Sequence, residues 1–328
     1  EVAGYSIDIP TDPSHFKLLN PGIKTVYGDI LDSDKLNDCF AEHQPEIVFH
    51  LAAQSLVRDS YRNPLQTYST NVMGTLNVFE AARKCESVTA VLNITTDKVY
   101  ENPEKDIAFK EADRLGGYDI YSSSKACSEI LSASYRNSFL NSSEYNKTHH
   151  ILLATVRAGN VVGGGDWAKD RLIPDVIKAS LENKKTIIRN PKAIRPWQHV
   201  LEPLSGYLLL GQELLSGKKE FAEAWNFGPD PDQCRSVKEL LNLMKSYWEK
   251  ISWEHHPDTN NFHEAGMLKL SNEKANHLLN WQPVLSLEET VELTINWYRK
   301  FYEEKKINSL HDINYYINKV QQQNRFVI

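Results

Sequence analysis

Short apolar runs alternate along this chain with longer segments whose apolar residues recur every three or four positions. Glu46-Ile-Val-Phe-His50 leads into Leu51-Ala-Ala-Gln54, Ala90-Val-Leu-Asn-Ile-Thr95 is a second run, and Ile151-Leu-Leu-Ala-Thr-Val-Arg157 is a third. Each has the length and β-branching of a strand buried on both faces. Asn71 to Ala82 reads as an amphipathic helix, and a further helix is expected from Tyr121 to Arg136. Strands alternating with helices of this length predict a parallel α/β sheet, in which ligands sit beyond the carboxyl ends of the strands. Gln54, Asp97 and Asn160 all fall just past such ends. Trp281-Gln-Pro283, then Ser286-Leu-Glu-Glu289 and an apolar-periodic run to Tyr302, predict a capped helix.

Composition narrows the class. At 328 residues the chain can bury a large core, as one α/β unit or as two interleaved domains. A net charge of −6 and a pI near 6.0 give no electrostatic reason to expect nucleic acid or an anionic membrane as partner. No apolar run approaches the roughly 18 residues that span a bilayer, and the opening residues show no signal-peptide pattern, so the expected location is the cytoplasm. Cys39, Cys85, Cys127 and Cys234 lack metal-ligand or disulfide-framework spacing; they read as reduced and structural, and no metal site is expected.

Two fragments carry candidate chemistry: Thr95-Thr96-Asp97-Lys98-Val99-Tyr100 and Tyr121-Ser-Ser-Ser-Lys125. Tyr-x-x-x-Lys sets a phenol and an ammonium one helical turn apart on one face. The ammonium there can favour the phenolate and make the tyrosine a base for hydride-transfer chemistry. On an isolated helix the same spacing marks a solvated face; the alternating pattern around it supplies the context.

Asp29-Ile30, His50-Leu-Ala-Ala-Gln54, Thr70-Asn71-Val-Met-Gly-Thr75, Tyr121-x-x-x-Lys125 and Arg157-Ala-Gly-Asn160 together resemble the extended short-chain dehydrogenases that act on nucleotide sugars. More narrowly, Asn93-Ile-Thr-Thr-Asp-Lys98, Gly163 to Pro174 and Arg189 to Gly206 resemble the CDP-glucose 4,6-dehydratase group. The resemblance runs from about residue 1 to about residue 304. It implies a Rossmann-like, doubly wound parallel sheet with a smaller interleaved C-terminal substrate domain. Residues 1–164 and 197–227 would bind NAD, residues 165–196 and 228–304 the nucleotide sugar, and 305–328 would be a tail, either a surface helix or partly disordered.

One departure stands out. Such proteins begin with a strand and a Gly-x-x-Gly-x-x-Gly turn whose amides meet the cofactor pyrophosphate. This sequence opens at Glu1-Val-Ala-Gly-Tyr-Ser-Ile-Asp8, which reads as the second strand of the pattern, ending in an acid suited to a ribose hydroxyl. Truncation of a longer protein is the expectation, with unpaired backbone on both neighbours of the missing strand.

The resemblance also implies roles. Tyr121 and Lys125 act on the sugar 4-hydroxyl, Asp97 is the acid for the departing C6 hydroxyl, and Thr96 bonds near the C4 oxygen. Lys98, where related dehydratases carry Glu, is either a neutral base for the C5 proton or a cation that stabilises the enolate. On the cofactor side stand Asp8, Asp29, Ile30, Leu51, Ala52, Ala53, Gln54, Asn71 and Thr95, besides Tyr121 and Lys125. Asp29 is otherwise a turn residue, Asn71 otherwise a helix N-cap, and His50 reads as a core histidine. Asn160, Asp170, Arg171, Arg189, Arg195 and Glu264 would meet CDP-glucose, arginine suiting a diphosphate by its bidentate fork. A homo-oligomer, dimer or tetramer, would form through helices near 75–83 and 121–136, unless apolar positions such as Phe79 face the core. The alternatives are another NAD-dependent nucleotide-sugar epimerase or dehydratase, and a non-catalytic nucleotide-binding Rossmann remnant.

Overall fold

The computed structural model describes residues 1–257 and 265–323. β1 (Ala3–Ser6) and β2 (Lys24–Tyr27) pair in parallel as a two-stranded ribbon. β3 (Ile47–His50), β4 (Ala90–Ile94), β5 (Leu152–Ala158) and β6 (Ala224–Phe227) form a parallel sheet in the order β6-β5-β4-β3. Among the described residues β1 pairs with β2 alone and β3 with β4 alone, so each keeps one edge without a ladder. The ribbon attaches through side chains: Tyr5 packs with Leu36, Phe40 and Phe79 in one core.

Period-two alternation decides the layers. Val91 and Leu153 face one side of the sheet, where α1 (Ser33–His43), α2 (Thr75–Lys84) and α3 (Ile120–Ser138) bury Phe40, Phe79 and Tyr135. Ala90, Leu92, Leu152 and Ala154 face the other side, covered after α4 (Leu172–Leu181) by α5 (Leu201–Leu215), which contributes Tyr207, Leu210 and Leu214. Apolar residues on both faces are what a doubly covered parallel sheet requires. Phe79 therefore belongs to the core. The helix expected over 71–82 instead begins with a wide turn, Ser69–Gly74, that runs directly into α2. Asn71 lies inside that run, so the N-cap alternative is corrected.

A second core joins Ile173, Val176 and Ile177 of α4 to α6 (Val237–Tyr247) and α7 (Leu287–Arg299), with Trp297 and Tyr298 at its centre. Ser286 starts α7 with a reciprocal capping box, its side chain accepting from Glu289 N while Glu289 accepts from Ser286 N, as Ser-x-x-Glu predicts. The units interlock through α7, which sends Leu293 into the sheet-side core and Val291 and Ile295 into the second. Ala275, Leu279 and Trp281 also pack on the sheet side, so the chain from 228 to 304 serves both cores. The tail carries α8 (Ser309–Gln322), the surface helix that was one of the two expectations, with Tyr316 and Val320 buried against the sheet-side core. Among the described residues no helix is long and apolar enough to cross a membrane. The four cysteines are free.

Candidate active site

β4 ends at Ile94, and two residues on the chain tightens into the turn Asp97–Val99. Thr96 caps that turn: its hydroxyl accepts from Lys98 N at 3.4 Å and donates to Asp97 Oδ1 at 3.1 Å. Asp97 is 2% exposed, and its Oδ2 has no hydrogen-bond partner among the described residues. Burial pushes the carboxyl up to about 6, against the pull of Lys98, Thr96 and Arg195. A buried acid with an unused oxygen is poised to hold a proton near neutral pH.

Asp119 opens α3 by accepting from Ser122 N at 3.0 Å and Ser122 Oγ at 2.5 Å. Before it, Gly117 holds a φ of +89°, and a Cβ there would lie 2.5 Å from the Ser122–Ser123 backbone, so only glycine lets the loop fold onto this first turn. Tyr121 follows in that turn, its amide on Ser60 Oγ at 3.2 Å and its side chain buried. One turn on, Lys125 is 3% exposed and donates from Nζ to Ile94 O at 2.9 Å. Burial lowers the ammonium to about 8, with Glu129 opposing. Burial also holds the Tyr121 phenol up at about 12, with Thr96 and Arg171 pulling against it. Sequence reasoning expected Lys125 to lower the phenol; here desolvation outweighs every charge nearby.

Behind this pair lies a buried polar network. Glu129 accepts from Thr95 Oγ1 at 2.5 Å, Thr155 Oγ1 at 2.7 Å, and Arg157 Nε and Nη2 at 2.9 Å each. Arg157 Nη1 donates to Tyr100 Oη at 2.8 Å, and Tyr100 donates to Asn226 Oδ1 at 2.7 Å. The strand ends of β4, β5 and β6 and the catalytic turn are thereby tied to α3. Thr95, expected beside the cofactor, has its hydroxyl engaged in this network and on Val156 O at 3.2 Å.

The other expected cofactor residues gather at the ends of β1, β2 and β3. Asp8 and Leu51 are exposed, and Asp29, Ala52, Ala53 and Gln54 half-buried. Asp29 has the turn geometry the sequence allowed, accepting from Leu31 N at 2.9 Å. Ile30 is buried in the core. Asn71 is wholly buried and clamps three elements, accepting from Gln54 N at 2.8 Å and donating to Gln54 O at 3.0 Å and Ser124 Oγ at 2.9 Å. His50 shares a hydrogen bond with Thr75 Oγ1 at 3.0 Å, and burial depresses its ring to about 3, as suits a core histidine.

A cleft of about 330 Å³ opens between the two cores. Lys98, Asn160, Asp170, Arg171, Arg189 and Arg195 line it together, although they come from four stretches of chain. Asn160 reaches it because Gly159 passes Pro196 where a Cβ would stand 2.4 Å from Pro196 Cγ. Arg171 spans the cleft mouth to Ser55 Oγ at 3.0 Å. Glu264 lies outside the described residues. Among the described residues no cluster of His, Cys, Asp or Glu could hold a metal ion.

Comparison with known proteins gives this arrangement a lineage. The family model for GDP-mannose 4,6 dehydratase matches residues 11–294. The chain belongs to that family. Its similarity to a CDP-glucose 4,6-dehydratase from Salmonella typhimurium is 46% identity, covering 97% of this chain and 89% of the relative. A dTDP-glucose 4,6-dehydratase from Escherichia coli is 27% identical over 83% of this chain and 77% of its own. Two solved structures share the fold. The UDP-glucose 4-epimerase of Thermotoga maritima, with UDP-glucose, has a TM-score of 0.78 at 21% identity, covering 92% of this chain and 91% of that one. The dTDP-glucose 4,6-dehydratase of Bacillus anthracis, in complex with NAD, has a TM-score of 0.76 at 21% identity, covering 92% and 89%. In this member of the GDP-mannose 4,6 dehydratase family, sequence reasoning missed Glu129, Tyr100 and Asn226. Glu129 had a signal, standing four residues beyond Lys125 on the same helical face.

Proposed function

We propose that the chain is an NAD-dependent CDP-glucose 4,6-dehydratase, a hydro-lyase that converts CDP-glucose to CDP-4-keto-6-deoxyglucose and water. The observation that carries the reading is Asp97, a buried carboxyl on the turn that Thr96 caps, with one oxygen that has no partner among the described residues. An epimerase has no need of an acid for a leaving hydroxyl; a dehydratase does. The choice of CDP rests on the 46% identity with the Salmonella enzyme.

Tyr121 is the base for the 4-hydroxyl, with Thr96 bonding near the C4 oxygen. NAD, when bound, takes up hydride and gives it back. The residues fit such a group: Lys125 has ammonium hydrogens beyond its bond to Ile94, Asp8 and Asp29 present carboxylates at strand ends, and Ala52 and Ala53 leave room there. A C4 ketone acidifies the C5 proton, for which Lys98 is placed as base or as the cation that stabilises the enolate. Asp97 then protonates the C6 oxygen as it leaves, a contribution of roughly 10²–10⁴-fold for general acid catalysis. Arg171, Arg189 and Arg195 meet the diphosphate, and Asn160 and Asp170 the sugar. The reading carries a cytoplasmic address and a homo-oligomer, for which exposed Met73, Ile130 and Phe139 near α2 and α3 provide apolar surface.

The test supplies the protein with NAD and, separately, CDP-, UDP- and dTDP-glucose. Turnover to the 4-keto-6-deoxy product with CDP-glucose, lost in Tyr121→Phe, is expected. Epimerised product without loss of water, or no turnover with any sugar, would overturn it.

A further inference from the structure

The chain leaves the catalytic turn at Tyr100 and returns at Leu115, where the two residues form an antiparallel bridge. Between them runs an arm laced to residues 265–271. Asn102 Nδ2 donates to Met267 O at 2.7 Å. Oε2 of Glu104 accepts from Gly266 N at 2.8 Å and Met267 N at 3.2 Å. Phe109 N donates to Lys269 O at 3.0 Å, and Ser271 N donates to Phe109 O at 2.9 Å. Glu104 adopts a left-handed φ of +55°, which a side-chain-bearing residue keeps only when its surroundings hold it. Asn102 Oδ1 provides part of that hold by accepting from Glu104 N at 2.8 Å.

The opposite edge of residues 265–268 meets Arg195. Ile194 N donates to Gly266 O at 2.9 Å and Leu268 N to Ile194 O at 3.3 Å, while Arg195 Nη2 donates to Ala265 O at 2.5 Å. Arg195 is buried, lines the cleft, and its charge reaches Asp97. One short strap thus has the arm of the catalytic turn on one side and a cleft arginine on the other.

We propose that Asn102 and Glu104 are positioning residues that set the guanidinium of Arg195 for a nucleoside diphosphate through the backbone of residues 265–268. The inference rests on the nucleotide-sugar reading above. A carboxylate shared by two successive amides is a charge-assisted clamp, which fixes those peptides more firmly than neutral bonds would. The same arm is the direct continuation of the Asp97–Val99 turn, so seating the diphosphate and placing the acid depend on one structure.

Calorimetric titration of CDP into the unmodified protein, Glu104→Ala and Glu104→Gln tests this, with amide hydrogen exchange followed at 265–268. Glu104 is exposed, so the variants should fold. Glu104→Ala is expected to weaken CDP binding roughly 5–20-fold and to speed exchange at Gly266 and Met267. Glu104→Gln keeps an acceptor but loses the charge, so it should recover the affinity in part and fall between the other two, a graded rescue that a merely structural role would not produce. Equal CDP affinity in the unmodified protein and Glu104→Ala would overturn the inference and leave the nucleotide-sugar reading standing. Failure of the unmodified protein to bind CDP would overturn that reading and the inference with it.

Discussion

Asp97 and Glu129 are both carboxylates withdrawn from solvent, one on the catalytic turn and one a helical turn past Lys125, yet their chemistry is opposite. Burial is the largest influence on each. Around Glu129 it is overcome by the bidentate Arg157 and the hydroxyls of Thr95 and Thr155, so the group is held below the usual carboxylate range. Around Asp97, among the described residues, Thr96 alone donates a side-chain bond, the second oxygen has no partner, and the carboxyl rises to about 6. Depth below the surface does not separate a carboxyl that holds its proton from a structural anion. What separates them is whether the fold has completed the hydrogen bonds and set a bonded counter-charge among them.

The largest expected effect lies on the satisfied side. Glu129→Gln leaves the Arg157 guanidinium buried without its counter-charge and should cost about 3–5 kcal/mol of stability, read as a fall in the urea midpoint. The sign with pH follows from a depressed carboxylate. The stabilisation is present above the unfolded value near 4.5 and is lost as pH falls through the lower folded value, so the variant should lack this part of the acid sensitivity. A loss under about 1 kcal/mol would mean that Arg157 finds other partners, and the contrast with Asp97 would collapse.

The unsatisfied side should respond in the opposite direction. Asp97→Asn is expected to slow dehydration on the order of 10²-fold while C4 oxidation persists, visible as reduced nicotinamide that accumulates before product. It should also make the fold more stable. A carboxyl raised from 3.8 to about 6 binds its proton more tightly in the folded state, so the native protein loses stability as pH rises through that interval. At pH 7 the variant should gain on the order of 2–3 kcal/mol, with the gain gone below about pH 4. Slower chemistry with higher stability is the signature of a group kept for function; a destabilised variant would place Asp97 with Glu129.

Much of this was legible in the sequence, and the limit has a physical form. Tyr121, Lys125 and Asp97 could be read because helical spacing and strand ends are local facts. The capped start of α7 was legible for the same reason. Asn71 was read as a cap or a cofactor-side group because its partner Ser124 lies 53 residues away, across a contact that no local pattern encodes. Resemblance alone sets Thr95 beside the cofactor, whereas the direction of its hydroxyl depends on Glu129, 34 residues on. The tail was left open because its anchor is also remote: Tyr316 donates to Glu202 Oε2 at 2.8 Å, across 114 residues.

Glu202 supplies the intermediate case, with an effect on stability alone. It is 1% exposed and well bonded, accepting from Val284 N at 2.9 Å, Leu285 N at 2.7 Å and Tyr316 Oη, but no cation is among these donors. Its carboxyl rises to about 7, burial outweighing the neutral donors. Completed hydrogen bonds without a counter-charge therefore do not recover what burial removes; Glu129 differs by its arginine. Because the folded value is raised, the native protein should lose stability between about pH 4.5 and 7, and Glu202→Gln should lack that loss. Oε1 of glutamine can still accept from Val284 and Leu285, so the variant should match the native protein near pH 5 and exceed it by about 3 kcal/mol at pH 8, measured as the difference in Tm across that range. If the variant were instead less stable at pH 8, the ionised carboxylate would be holding α8 through Tyr316. The rule drawn from Asp97 and Glu129 would then have to count the strength of each donor as well as its presence.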